Sequence, residues 1–258
     1  MKVTFYKYQG AGNDFIIIDD RQHNFSFLTK QIKQICDRKL GIGSDGFILL
    51  RSHKIYDFEM IYFNSDGKIS SMCGNGGRCI VHFAFFLKII KHGTMFLAVD
   101  GPHEAKVINN SKVVLSMNNI DTILKNKDYT YVDSGSPHHI IQKYNIDSVD
   151  VRKIGSKIRY SKMYSPNGVN VSFINKKSSH EFIIRTYERG VENETLSCGS
   201  GAVASAIAMH GIGETNLNKI KMKTLGGDLT VCFKFNEIYS DITLEGPVKQ
   251  VFKGEISF

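Results

Sequence analysis

Cys73 and Cys198 each stand directly before a Gly-x-Gly, reading Cys73-Gly74-Asn75-Gly76 and Cys198-Gly199-Ser200-Gly201. A cysteine in that setting, with an apolar run opening behind it, is expected at a helix N-terminus, where the dipole and unsatisfied amides stabilise negative charge. Such sites lower thiol pKa and favour the reactive thiolate. The glycines let backbone approach a ligand closely, so the amides of residues 74, 75, 199 and 200 are candidates to hold a carboxylate. A base on one face of an α-carbon and an acid on the other is what inversion of an amino acid requires, and one thiolate with one thiol meets that need in both directions. The α-proton is far less acidic than a thiol of pKa about 8.5, so donors at the developing carboxylate charge must lower the barrier; each is worth roughly 10²–10³ in rate. A lone cysteine is more often a buried packing residue. Two at matching positions argue otherwise, while Cys36, Cys79 and Cys232 lack the motif and are expected to pack.

The two cysteines lie 125 residues apart, and the same offset recurs along the chain. Tyr62 matches Tyr187, Gly101 matches Gly226, and Asp45 faces Asn170. Gly10 to Phe15, G-A-G-N-D-F, lies opposite Gly135 to Ile140, G-S-P-H-H-I. One ungapped register through several anchors implies an internal duplication.

Each half must therefore present its cysteine from the same elements. Strands are expected at 3–8, 15–19, 47–50, 58–63, 95–99 and 113–117, and again at 129–132, 169–174, 181–187, 220–224, 229–233 and 240–244, where β-branched and aromatic residues sit between turn signals. Buried helices are expected at 78–90 and 202–210, with Ala202, Ala204, Ala206 and Ala208 small enough for a helix inside a curved sheet. Surface helices are expected at 29–38 and 149–158. The expected fold is α/β of the α+β type: two pseudo-symmetric halves, each a strand-rich sheet or barrel around a central helix, with the site in the cleft between them. The halves are placed at 1–125 and 126–248, with a C-terminal strand at about 249–258 packing back on the first.

Composition agrees with two modest domains, since 258 residues exceed one ordinary core. The longest apolar stretch, Ile80 to Ile90, is interrupted by His82 and Lys88 and falls well short of the roughly 20 residues a membrane helix needs. Met1 to Gln9 has no apolar signal region, so a cytoplasmic location is expected. The formal charge of +8 comes from scattered lysines without a nucleic-acid-binding signature. Five cysteines in no zinc-like spacing are expected as reduced thiols.

At these motifs the chain resembles the diaminopimelate epimerases over essentially its whole length: G-A-G-N-D-F at 10–15, F-N-S-D-G at 63–67, C-G-N-G-G-R-C at 73–79, Y-E-R-G at 187–190 and E-T-L-S-C-G-S-G at 194–201. The resemblance implies two similar α/β halves, each a strand layer around a central helix, and interconversion of L,L- and meso-diaminopimelate without metal or pyridoxal phosphate, for lysine and peptidoglycan synthesis. It implies Cys73 and Cys198 as the catalytic pair. Asn13, Asn64, Gly74, Asn75, Asn170, Glu188, Arg189, Gly199 and Ser200 are implied substrate contacts, with His138 assisting proton transfer beside Glu188. Ser136 stands where many members carry Asn, and Gly46 where some carry Gln. The expected partner is a small-molecule substrate, with no nucleic acid or membrane, and the expected assembly is a homodimer. The alternative is a related two-cysteine racemase acting on proline, hydroxyproline or histidine; Asn64, Asn170 and Arg189 follow the diaminopimelate pattern.

Overall fold

The structure, a computed structural model, describes residues 2–22, 25–70 and 72–257. Val3 and Phe5 alternate with more exposed neighbours along β1 (Lys2–Gly10), which turns back into β2 (Asn13–Asp19). In β2 Phe15 to Ile18 are all buried, so this strand is covered on both faces. Helix α1 (Thr29–Cys36) covers the outer face: Ile32, Ile35 and Cys36 pack on Val3, Phe5, Ile16, Ile18, Phe47 and Leu49. The layer continues through β3 (Gly46–Arg51), parallel to β2, and β4 (Glu59–Asn64), antiparallel to β3. Helix α2 (Gly74–Phe86) follows, buried from Asn75 through Ala84 and in contact with β1 to β4. Strand β5 (Gly93–Ala98) joins β4 in parallel, β6 (Gly101–Asn109) and β7 (Lys112–Ser116) extend the layer antiparallel, and α2 also meets β6.

The second unit repeats this order. β8 (Ile123–Lys125) and β9 (Thr130–Asp133) lead into β10 (Pro137–Gln142), antiparallel to β9. Helix α3 (Val151–Arg159), capped by Asp150 accepting from the Lys153 amide at 2.9 Å, covers the outer face; Val151 joins a core with Val171, Phe173 and Tyr187. β11 (Asn170–Lys176) is parallel to β10, and β12 (Glu181–Glu188) is antiparallel to β11, with the short β13 (Asn193–Thr195) on β12. Helix α4 (Gly199–Gly211) touches β9 to β12 and is apolar all round, as a helix enclosed by a sheet must be. β14 (Lys219–Thr224), β15 (Gly227–Asn236) and β16 (Ile238–Pro247) complete the layer.

Antiparallel, parallel, antiparallel, parallel, antiparallel is the pairing sequence from β1 to β6 and again from β9 to β15 with β13 set aside. The enclosed helices span 74–86 and 199–211, an offset of 125 at both ends. The fold is therefore the duplicated strand layer around a helix that the repeat implies. The units comprise residues 1–115 with 246–258, and 116–245; the terminal positions 1 and 258 lie outside the described residues. The C-terminal strand (Lys249–Ser257) pairs antiparallel with β1 in the first unit.

Both enclosed helices begin about one turn before the expected starts, because Gly74 to Gly77 and Gly199 to Gly201 are helical rather than loop. β6 and β10 were not expected as strands. β6 faces inward with His103, Ala105 and Val107, a weak apolar signal after Gly101-Pro102, and β10 opens on Pro137 with two histidines. No helix among the described residues is long and apolar enough to cross a membrane.

Candidate active site

Ala11 and Gly12 carry φ of 51° and 84°, forming the two-residue turn that sets Gly10 opposite Asn13 between β1 and β2. Left-handed conformation at both central positions is the hairpin turn that matches strand twist. A Cβ at Gly10 would lie 3.1 Å from both the Asn75 carbonyl oxygen and Cys79 Sγ, so glycine lets this hairpin press against the first turn of α2. That contact carries Asn13 to Cys73, the N-cap residue of α2. Cys73 Sγ donates to Asn13 Oδ1 at 3.5 Å, and Asn75 Nδ2 donates to the same oxygen at 3.4 Å. Asn13 Nδ2 donates to Asp45 Oδ2 at 2.6 Å.

Two charged groups close this chain. Arg78, fully buried one turn into α2, donates to Asn75 Oδ1 at 2.6 Å and to the Gly74 carbonyl at 3.2 Å. Asp45 is held by Arg38 at 2.8 Å and by the Asp14 amide at 3.3 Å. Arg38 and Lys7 both pair with Asp14, at 2.7 and 2.8 Å. Burial pushes the Asp14 carboxyl up, but these two cations outweigh it and hold it down at about 2.

In the second unit Cys198 is the N-cap residue of α4, and its Sγ accepts from the Gly201 amide at 3.4 Å. Ser200 Oγ lies 3.5 Å from Sγ and 3.0 Å from His138 Nε2. Asn170 Nδ2 reaches Ser136 Oγ at 2.8 Å, the Pro137 carbonyl at 3.1 Å and His138 Nε2 at 3.5 Å. Asn170 Oδ1 accepts from the Arg189 amide at 2.8 Å. His138 has no exposed surface; burial, aided by the Arg189 charge, lowers its pKa to about 3, so its imidazole is neutral.

Adding 125 to Asn13, Asp45, Cys73 and Asn75 gives His138, Asn170, Cys198 and Ser200. The same four positions are joined in both units: 13 to 45, 75 and 73 in one, 138 to 170 and 200, and 200 to 198, in the other. The chemistry differs, and so does the link to sulfur, which runs from position 13 to Cys73 but from position 200 to Cys198. The first relay ends on a carboxylate and the second on an amide.

The remaining sequence-derived residues take distinct positions. Asn64 ends β4, exposed, with its backbone paired to Gly46, next to Asp45. Gly46 faces the Tyr62 ring, which a Cβ would meet at 2.4 Å, so in this chain a glutamine there would displace Tyr62. Glu188 ends β12 and accepts from Thr195 Oγ1 at 3.1 Å. Arg189 follows it, donating to the Asn167 carbonyl at 3.3 Å. Gly74 and Gly199 are the first residues of α2 and α4.

The diaminopimelate epimerase family model matches over residues 5–120 and again over 130–249. Diaminopimelate epimerases from Flavobacterium psychrophilum and Chlorobaculum tepidum are similar at 49% and 40% identity, covering 98% and 96% of this chain and 100% and 99% of their own. This chain belongs to the diaminopimelate epimerase family. Among solved structures, a Bacillus anthracis protein of the PhzF family superposes with a TM-score of 0.79 at 12% identity over the whole of both chains. A probable proline racemase from Agrobacterium radiobacter does so with a TM-score of 0.69 at 13% identity, covering 99% of this chain and 93% of its own. At such identities the likeness concerns the fold.

In this family member Arg78, Thr195 and Ser134 hold the site without having been singled out in the sequence. Arg78 reads as one polar residue in an apolar helix, and Ser134, which donates to the Ser200 carbonyl at 2.9 Å, as part of a turn. Asp45 was visible only as the repeat partner of Asn170. Cys36 and Cys79 are buried, and burial raises both thiols, Cys79 most strongly, as packing residues require. Cys232 is half-buried and also raised by burial.

Proposed function

We propose that this chain interconverts L,L- and meso-diaminopimelate with Cys73 and Cys198 as the two acid/base groups, without a metal or pyridoxal phosphate. The observation that carries this reading is the pair of N-cap cysteines at equivalent ends of α2 and α4, in a chain of this family. One thiolate takes the α-proton, its electron pair forming the S–H bond while the C–H pair passes to the carbanion. The opposite thiol then protonates that carbon from the other face, so the two sulfurs exchange protonation states in each turnover.

The first amides of a helix have no intrahelical acceptor, so Gly74, Asn75, Gly199 and Ser200 are suited to the substrate carboxylate and the charge it gains in the transition state. Arg189 supplies a planar guanidinium for the distal carboxylate, Asn64 and Asn170 neutral hydrogen bonds, and Glu188 an anion for an ammonium group. Asn13 and His138 orient the two thiol ends. Ser136, bonded to Asn170, supports that amide.

Solvent-deuterium exchange tests the reading. Label is expected to enter the α-position of diaminopimelate and not of lysine, proline or histidine. Equal exchange into proline or histidine would replace it with the related-racemase reading, and no exchange into any amino acid would remove the epimerase reading altogether. Activity is expected to survive chelators; loss on chelation with recovery on Zn²⁺ or Mg²⁺ would refute a metal-free route.

A further inference from the structure

The polar chain behind Cys73 runs in one direction. Arg78 can only donate, so Asn75 must present Oδ1 to it and turn Nδ2 toward Asn13. Asp45 as a carboxylate can only accept, so Asn13 must present Nδ2 to it. With both ends defined, neither amide can flip without placing like atoms together, and Asn13 Oδ1 faces Cys73 Sγ at 3.5 Å. An oxygen acceptor there favours S–H over S⁻. In the second unit the relay ends on Asn170, a neutral amide, and Cys198 Sγ receives the Gly201 amide hydrogen.

We propose that Asp45 and Arg78 are positioning residues for Cys73: by locking the Asn75 and Asn13 amides between a cation and an anion, they hold an acceptor against this sulfur and favour its thiol form, making the two thiols inequivalent. The catalytic consequence, an enzyme biased toward Cys73 as proton donor in its first half-reaction, rests on the epimerase reading above. Other charges also reach Cys73. On α2 these are Arg78 itself, which draws toward thiolate, and the Cys79 thiol. Asp14 on β2 lies behind Asp45, paired with Arg38 and Lys7. Asp100, bonded to His103, accepts from the amide of Met72, the residue before Cys73. All of these persist when Asp45 alone is changed, while Arg38 keeps Asp14 and loses Asp45 as a partner, so a variant at position 45 compared with and without Asn13 isolates the relay.

In Asp45→Asn the residue beside Asn13 can donate as well as accept, so the restraint from that side is lost and Asn13 Oδ1 is held toward sulfur only by the Asn75 Nδ2 bond at 3.4 Å, which loosens the acceptor at Cys73. The pH dependence of iodoacetamide alkylation, read separately for the Cys73 and Cys198 peptides by mass spectrometry without substrate, reports each ionisation. The Cys73 midpoint is expected to fall by about one pH unit, roughly tenfold in rate below the midpoint, while Cys198 stays in place. In an Asn13→Ala background the same Asp45→Asn change is expected to leave Cys73 unmoved, because the connecting amide is gone. An unchanged or raised Cys73 midpoint in Asp45→Asn would overturn the proposal. A fall of equal size in the Asn13→Ala background would also overturn it, since the charge would then act through space. Deuterium exchange on the same preparations separates the two readings: relay behaviour without exchange into diaminopimelate removes the epimerase reading alone, and exchange without relay behaviour removes this proposal alone.

Discussion

At the residue scale, the proposed two-base mechanism gives the two sulfurs the same work in opposite directions, so neither can substitute for the other. Cys73→Ala and Cys198→Ala are each expected to abolish epimerisation while leaving the thermal midpoint within a few degrees, because each removes a small side chain. Full turnover by either purified variant would end the two-base mechanism. At the distal end, Arg189→Lys replaces a bidentate fork with a point charge and is expected to lower kcat/KM for diaminopimelate more than tenfold, above about 1.4 kcal/mol of transition-state stabilisation. Steady-state kinetics showing less than a threefold loss would place the distal carboxylate elsewhere.

Histidine burial gives the fold a pH signature. Burial lowers His138 to about 3 and His139 to about 4, whereas both take up protons near 6.5 in the unfolded chain. The unfolded state therefore binds more protons below pH 6.5, and stability falls as pH is lowered from there toward about 4 and 3, by up to about 1.4 kcal/mol per pH unit for each histidine. Urea unfolding at pH 7, 6 and 5 should show this slope, and His139→Gln should reduce it. An unchanged slope in that variant would mean His139 is protonated in the folded protein.

At the element scale, glycine decides where helices meet their neighbours. A Cβ at Gly201 would lie 3.2 Å from both Cys198 Cβ and His138 Cε1, so Gly201→Ala pushes sulfur and imidazole out of register by a few tenths of an ångström. Activity is expected to fall more than tenfold with little change in stability, since catalysis is sensitive to small misplacements. Gly155→Ala is the converse case. Its Cβ would sit 2.4 Å from Tyr187 Cβ, an atom close to the backbone of β12, so α3 must lift from its sheet. Unfolding curves are expected to show a loss of about 1–3 kcal/mol. Reversal of the two outcomes would mean that α4 tolerates displacement and α3 does not.

At the scale of the whole molecule, the chain returns to its first unit at the end. Lys249–Ser257 pairs with β1 along nearly its whole length, through one register shift at Lys7/Tyr8. Ending the chain at Val248 would leave β1 as an open edge, and an unpaired edge both loses its ladder and invites association. Such a truncation is expected to destabilise the unit containing Cys73 and to promote aggregation on size-exclusion chromatography. A monodisperse product with the parent melting temperature would show that the strand is dispensable.

The duplication, the cysteine pair and most strands were legible because they rest on local pattern: a constant offset of 125, a cysteine before Gly-x-Gly, and alternating apolar residues between turns. The strand β6 escaped because its inward positions are His103, Ala105 and Val107, which do not resemble a core until a helix is seen against them. The polar relays escaped for a different reason. Asn13 and Asp45 are 32 residues apart, Asn75 and Arg78 lie on another element, and only the parallel pairing of β2 with β3 and the close approach of the Gly10 hairpin to α2 bring them into one hydrogen-bonded chain. Residue type specifies what a side chain can donate or accept. Which partner it meets, and hence which way the Asn13 amide must point, is decided by packing across distant segments, and that is a property of the tertiary structure alone.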